Sequence, residues 1–189
     1  MPRIDLPDGK SDPEVRMWKL RPEMGIGAGA LSHAVYEQSI VPVRERELAR
    51  MRIAEINDCA ICQQWRKTTG SAEALTEDDY AHVGEWRTFA GYSERERLAI
   101  EYAERFALDH RNIDDDFFVR LRGAYSDAEV LDLTVCIGAW IGLGMIFESI
   151  DKPEAALRAY EKALAIHPHA AAAVSGEKRL KRAVEGMPL

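Results

Sequence analysis

Apolar residues recur along this chain at helical intervals, and nowhere do they form the alternating β-branched runs of a half-buried strand. The spacing predicts helices near 29–39, 43–57, 59–69, 77–89, 94–109, 115–123, 127–148, 153–166 and 170–185. Several helix starts are marked. Ser93–Glu96 and Ser126–Glu129 have the Ser-x-x-Glu form, in which each end satisfies a free backbone N–H of the other. Thr76–Asp79 is a third such box, with Asp in the place of Glu. The fold class that follows is all-α, an antiparallel helical bundle.

Two of these helices carry informative patterns. In 43–57, Val43, Glu47, Met51 and Ala54 share one quadrant of the helical wheel, while Ala49, Ile53 and Ile56 form a second apolar stripe. A helix with two apolar stripes is expected between two neighbours, which places Glu47 on a buried face. The segment 127–148 is apolar nearly all round after its first turn and is expected to be a central buried helix. Gly138 and Gly142, four apart on it, would let a neighbour approach closely. Cys136, in the same run, reads as a core cysteine.

The domain organisation follows from these patterns. Residues 1–14 are polar and proline-rich and read as an extended arm, 15–150 as one helical domain, and 151–189 as an extra C-terminal helical segment. The stretch "EAALRAYEKALAIHPHAAAA" in that tail resembles the second helix of a tetratricopeptide repeat. One half-repeat cannot stack. The tail is therefore expected to pack on the domain or on another subunit.

Composition narrows the function. The 189 residues, 47% of them hydrophobic, suffice for one domain with a full core. The net charge is −7, with Lys and Arg interleaved among Asp and Glu, which argues against nucleic acid or an anionic membrane as partner. The longest uninterrupted apolar run, 135–147, is shorter than the roughly 20 residues that cross a bilayer, and the N-terminus has no secretory apolar region. A cytoplasmic protein is expected. Three cysteines do not make a secreted disulfide framework, and in a reducing compartment a close pair is redox-active or metal-binding.

That pair is Cys59 and Cys62 in "EINDCAICQQWR". With Asn57 and Asp58 supplying the break and cap, both thiols fall on the first turn of helix 59–69, within disulfide reach and at the positive end of its dipole. At about 3.6 residues per turn, Arg66 and Thr69 share their face, and Ile61 and Trp65 turn toward the core. Arg66 is then a fixed cation that would lower the Cys62 thiol pKa. Burial would raise the pKa of Glu47 unless a cation sits beside it, and such a carboxyl can take up and return a proton. The residues leave three readings open. The pair is a working dithiol; or it is two small core residues beside a Glu47–Arg66 ion pair in an oligomeric structural or interaction protein; or it is half of a zinc site. A structural zinc site wants four ligands. Cys136 is distant, His33, His82 and His110 are scattered, and His167 and His169 form a loop pair with no further ligands. No metal or cofactor is expected.

At this point the sequence resembles a family. "RERELARMRIAEINDCAIC", with Glu47 twelve residues before Cys59, is similar to the alkylhydroperoxidase D-like, carboxymuconolactone decarboxylase superfamily. "YSERERLAIEYAERFALD" and "YSDAEVLDLTVCIGAWIGLG" are similar to the second half of that domain, so the resemblance covers roughly residues 15–150. It implies an all-α domain that forms homo-oligomers, a peroxidase or disulfide-exchange activity, a peroxide or disulfide substrate, and a thiol electron donor as partner. It also implies that Cys62 attacks the peroxide, that Cys59 resolves the sulfenic acid, and that Glu47 moves the proton. Cys59, nearer the helix start, is expected to be the more accessible to the donor. The family often has His four residues after the second cysteine. Arg66 stands there in this chain, and an arginine cannot relay a proton. It can hold a thiolate, pair with Glu47, or grip a substrate carboxylate. The decarboxylase branch of the superfamily works with His and Glu and needs no cysteine pair, so retention of the pair points away from it.

Overall fold

The computed structural model describes residues 4–11, 13–66 and 75–150. Every regular element among them is helical: α1 (Pro13–Met17), α2 (Pro22–His33), α3 (Val43–Ile56), α4 (Ala60–Gln64), α5 (Glu77–Ala81), α6 (Glu94–Asp109), α7 (Asp115–Ala124) and α8 (Asp127–Ile150). The expected helices 153–166 and 170–185, the tail that holds them, residues 67–69 and the side chain of Ile61 lie outside the described residues.

All three capping boxes form. Thr76 and Ser93 accept the backbone N–H of Asp79 and Glu96 and donate their own backbone N–H to the carboxylates of those residues. Ser126 and Glu129 do the same at the start of α8. These local bonds explain why α6 and the starts of α5 and α8 lie where the sequence places them. Other boundaries move. Pro22 stands at the first turn of α2, seven residues before the expected start, where its fixed φ suits a helix and its missing N–H costs nothing. The expected helix 77–89 is interrupted after Ala81 and continues only as a short 3-10 turn at Val83–Glu85.

α3 lies against α6 and α8 and is the wall between two apolar clusters. Its Ala49 and Ile53 enter one, with Leu98, Phe117, Leu133 and Ile137. Its Leu48, Met51 and Ala54 enter the other, with Tyr80, Trp86 and Ile100. The two stripes read from the sequence therefore feed two separate cores. α3 also buries Glu45, Arg46, Glu47 and Arg50. A buried charge without a partner costs several kcal/mol, and each of these has one. Arg95 Nε donates to Glu45 at 2.8 Å, Arg46 donates to the Val35 carbonyl at 3.0 Å, and Glu47 pairs with Arg50.

α8 departs from expectation. Leu133, Cys136, Ile137 and Trp140 are buried in the first cluster, and Cys136 is a core cysteine as expected. The opposite stripe is wet: Leu131 is 66% exposed, Val135 45% and Met145 55%. Among the described residues, nothing stands over Gly138 or Gly142 on that stripe. α2, apolar along most of its length, buries no residue either. An apolar sequence does not supply its own cover, and these two helices are half-packed among the described residues. Counted as a whole, Asp127–Ile146 is long and apolar enough to cross a bilayer, with a mean hydropathy of 1.6, although its buried face belongs to the bundle core.

Candidate redox site

The cysteine pair sits where α3 ends. The N–H of Cys59 donates to the Ala54 carbonyl and that of Asp58 to the Glu55 carbonyl, both at 3.0 Å. Asp58 between them adopts φ 55°. These are the two bonds and the left-handed residue of a Schellman turn, with Asp in the position that glycine usually takes. The turn delivers Cys59 to the position just before α4. Sγ of Cys59 accepts the backbone N–H of Cys62 at 3.3 Å, and its carbonyl accepts the N–H of Gln63 at 2.9 Å. Cys59 and Cys62 are joined as a disulfide, with Cα atoms 5.3 Å apart. Cys59 is 5% exposed, and Cys62 is the more open of the two, packed at the edge of the second cluster. That reverses the access expected from their order along the helix, because the Schellman turn tucks Cys59 under the end of α3.

α4 is only five residues long, so the dipole expected from helix 59–69 is largely absent. After Gln64 the chain leaves the helix. Trp65 is 40% exposed rather than anchored in the core, with its ring against Tyr36 at 4.9 Å between centroids. Arg66 does not line up with the thiols. Its guanidinium lies 3.9 Å from the ring centre of Tyr80, binds Glu77 through Nε and Nη2 at 3.0 Å, and caps the Gln63 carbonyl at 2.5 Å. The helical face shared by Cys59, Cys62 and Arg66 ceases to exist once the helix ends before Arg66.

The cation beside Glu47 is Arg50. Arg50 Nε and Nη2 donate to the two oxygens of Glu47 at 2.8 and 2.7 Å, and the hydroxyl of Tyr80 donates to Oε1 at 3.0 Å. Arg50 also donates to the carbonyls of Cys62 at 2.6 Å and Trp65 at 3.0 Å. The guanidinium thus bridges the buried carboxylate and the backbone of the cysteine segment. Burial, with Glu47 adding to it, pushes the Tyr80 hydroxyl well above the usual phenol range, so it remains a donor. Burial also raises Tyr36. Arg50 lies three residues after Glu47, a spacing that marks a helical ion pair. Tyr80, on α5, has no such signal.

Cys136 is remote from this site in character as well as in sequence. Burial, with the nearby Asp132 charge adding to it, pushes its thiol up to about 12.

Comparison with known proteins bears on the family and the fold. Residues 22–105 match the model of the carboxymuconolactone decarboxylase family. The chain is 26% identical over 102 residues to the uncharacterised protein YdfG of Bacillus subtilis, covering 53% of this chain and 69% of that one. It is 34% identical over 94 residues to the uncharacterised protein YnjA of Escherichia coli, covering 49% of this chain and 51% of that one. It therefore spans about half the length of YnjA. A solved structure from Agrobacterium tumefaciens, a protein of unknown function provisionally described as an antioxidant defence protein AhpD, matches with a TM-score of 0.60 and 27% identity, over 74% of this chain and 95% of that one. The resemblance read from the sequence and the all-α fold both stand on these matches.

Proposed function

With residues 22–105 matched to the carboxymuconolactone decarboxylase family, we propose that this protein is a thiol oxidoreductase that reduces a peroxide or exchanges a disulfide through Cys59 and Cys62. The observation that carries this reading is the joined pair at the end of α3, half-open at Cys62 and linked through Arg50 to the buried Glu47. The thiolate of Cys62 attacks the outer peroxide oxygen. The O–O bond breaks, the alcohol leaves with a proton, and Cys62 becomes a sulfenic acid. The thiol of Cys59 then attacks the Cys62 sulfur, forming the S–S bond and releasing water. Two donor thiols return two electrons and two protons.

Glu47, held by Arg50 and Tyr80, is the group assigned to take the Cys62 proton and return it to the leaving oxygen. The donor thiol attacks Cys62, the more accessible sulfur, and Cys59 leaves. The backbone N–H of Cys62 on Cys59 Sγ favours that leaving thiolate. Arg66 takes no step in this scheme, since Glu77 holds it. The protein acts in the cytoplasm, and as a homo-oligomer, the latter supported by the apolar faces of α2 and α8 that are exposed among the described residues.

The test is a trap. In Cys59→Ser, peroxide should leave a sulfenic acid on Cys62 that a dimedone-type label captures. Label on neither single mutant, with no peroxide consumed by the wild type in the presence of a dithiol, would leave the pair structural and the protein a non-catalytic scaffold.

A further inference from the structure

We propose that Arg50 is a positioning residue for the dithiol, tying the segment that bears Cys62 to α3 so that the two sulfurs stay within bonding reach. The inference rests on the dithiol reading above. Cys59 is already fixed to α3 by its own backbone, through the bond to the Ala54 carbonyl. Cys62 needs a separate anchor, because a helix of five residues does not hold itself and its last carbonyls lack helical partners. Arg50 supplies it. One edge of the guanidinium takes both oxygens of Glu47, and the rest reaches the carbonyls of Cys62 and Trp65. The side chain is 3% exposed and rises from the helix held between the two cores. Both cysteines are thus referenced to one rigid element by two independent links.

The role is positional rather than electrostatic. Glu47 neutralises the guanidinium through two hydrogen bonds, so the pair brings little net charge to the sulfurs. What cannot be replaced is the planar fork, which meets a carboxylate and two carbonyls at once. A lysine keeps the charge and loses the fork. When the anchor is lost, the Cys62 thiol samples a wider range in the reduced protein. Disulfide formation then loses effective concentration.

The measurement is the equilibrium in which protein disulfide and two glutathiones give protein dithiol and glutathione disulfide. The full-length wild type, Arg50→Lys, Arg50→Gln and the control Arg46→Lys are equilibrated in glutathione buffers, and free thiols are trapped and counted by mass. Arg50→Lys and Arg50→Gln should both shift the equilibrium constant about tenfold toward the dithiol, which is about 30 mV. Arg46→Lys, another buried arginine of α3, should stay at the wild-type value. Arg50→Lys at the wild-type midpoint overturns the proposal, whatever Arg50→Gln does, because charge alone would then suffice. An equal shift in Arg46→Lys also overturns it, as general loosening of α3. If Arg50→Gln fails to fold with Glu47 unpaired, Arg50→Lys decides, since it keeps that pairing. Peroxide consumption is not read, so a wild type without peroxidase activity would remove the peroxide-reducing half of the proposed function and leave this result to stand or fall by itself.

Discussion

The hydroxyl of Tyr80 donates to Oε1 of Glu47 at 3.0 Å, joining residues 33 positions apart in the chain. Together with Arg50 it completes the set of donors around a carboxylate buried between the helices. A donor to a buried charged group is worth about 1.5–3 kcal/mol. Tyr80→Phe should therefore lose about that much stability in urea unfolding, while the phenyl ring keeps its place in the second cluster. It should also slow turnover with the disulfide still able to form. Unchanged stability in Tyr80→Phe would show that Arg50 alone satisfies Glu47.

Arg66 is the residue on which sequence and structure part most clearly. Its bridge to Glu77 is to a largely exposed partner, and its ring contact is with Tyr80. Such contacts are worth about 1 kcal/mol together. Arg66→Ala should cost about that in stability and leave the pKa of the reactive thiol where it was, read by alkylation rate against pH. A rise of about one unit in that titration would return Arg66 to the chemistry.

The wet stripe of α8 predicts self-association. Val135→Asp places a charge in the middle of it, beside Gly138 and Leu131. Light scattering at micromolar concentration should show an oligomer for the wild type and the mass of one chain for the variant. Identical masses would remove this stripe from any interface between copies.

Glu129 links stability to acid. The backbone N–H of Ser126, then Arg95 and the Ser126 hydroxyl, hold its carboxyl well below the ordinary range, at about 2. The unfolded value is about 4.3, so the folded state prefers the ionised form. Its contribution is complete above that value and is lost as the pH falls toward 2. Glu129→Gln should be less stable than the wild type at pH 7, and the difference should close between about pH 4 and pH 2. A gap that stays constant across that range would mean that the box and the Arg95 bridge do not depend on the charge.

What neighbours within a turn of each other decide is written in the amino-acid sequence. The boxes at Thr76, Ser93 and Ser126, the length of α6 and the two stripes of α3 follow from bonds and periodicities that span three or four residues. The Cys59–Cys62 pair is of the same kind, and the Glu47–Arg50 ion pair at i, i+3 is equally local, although in the pattern of α3 it is overlaid by the apolar stripes. The tertiary structure decided the rest. Arg66 was free to choose among carboxylates until the end of α4 turned it onto α5 and Glu77. Tyr80 reached Glu47 only because α5 packs on the second face of α3. Which side of α8 is buried depended on where α3 and α6 stopped covering it. Hydrogen bonds inside a turn are written in local order, whereas the partner of a long charged side chain and the burial of an apolar face are properties of surfaces that meet only after the helices have packed.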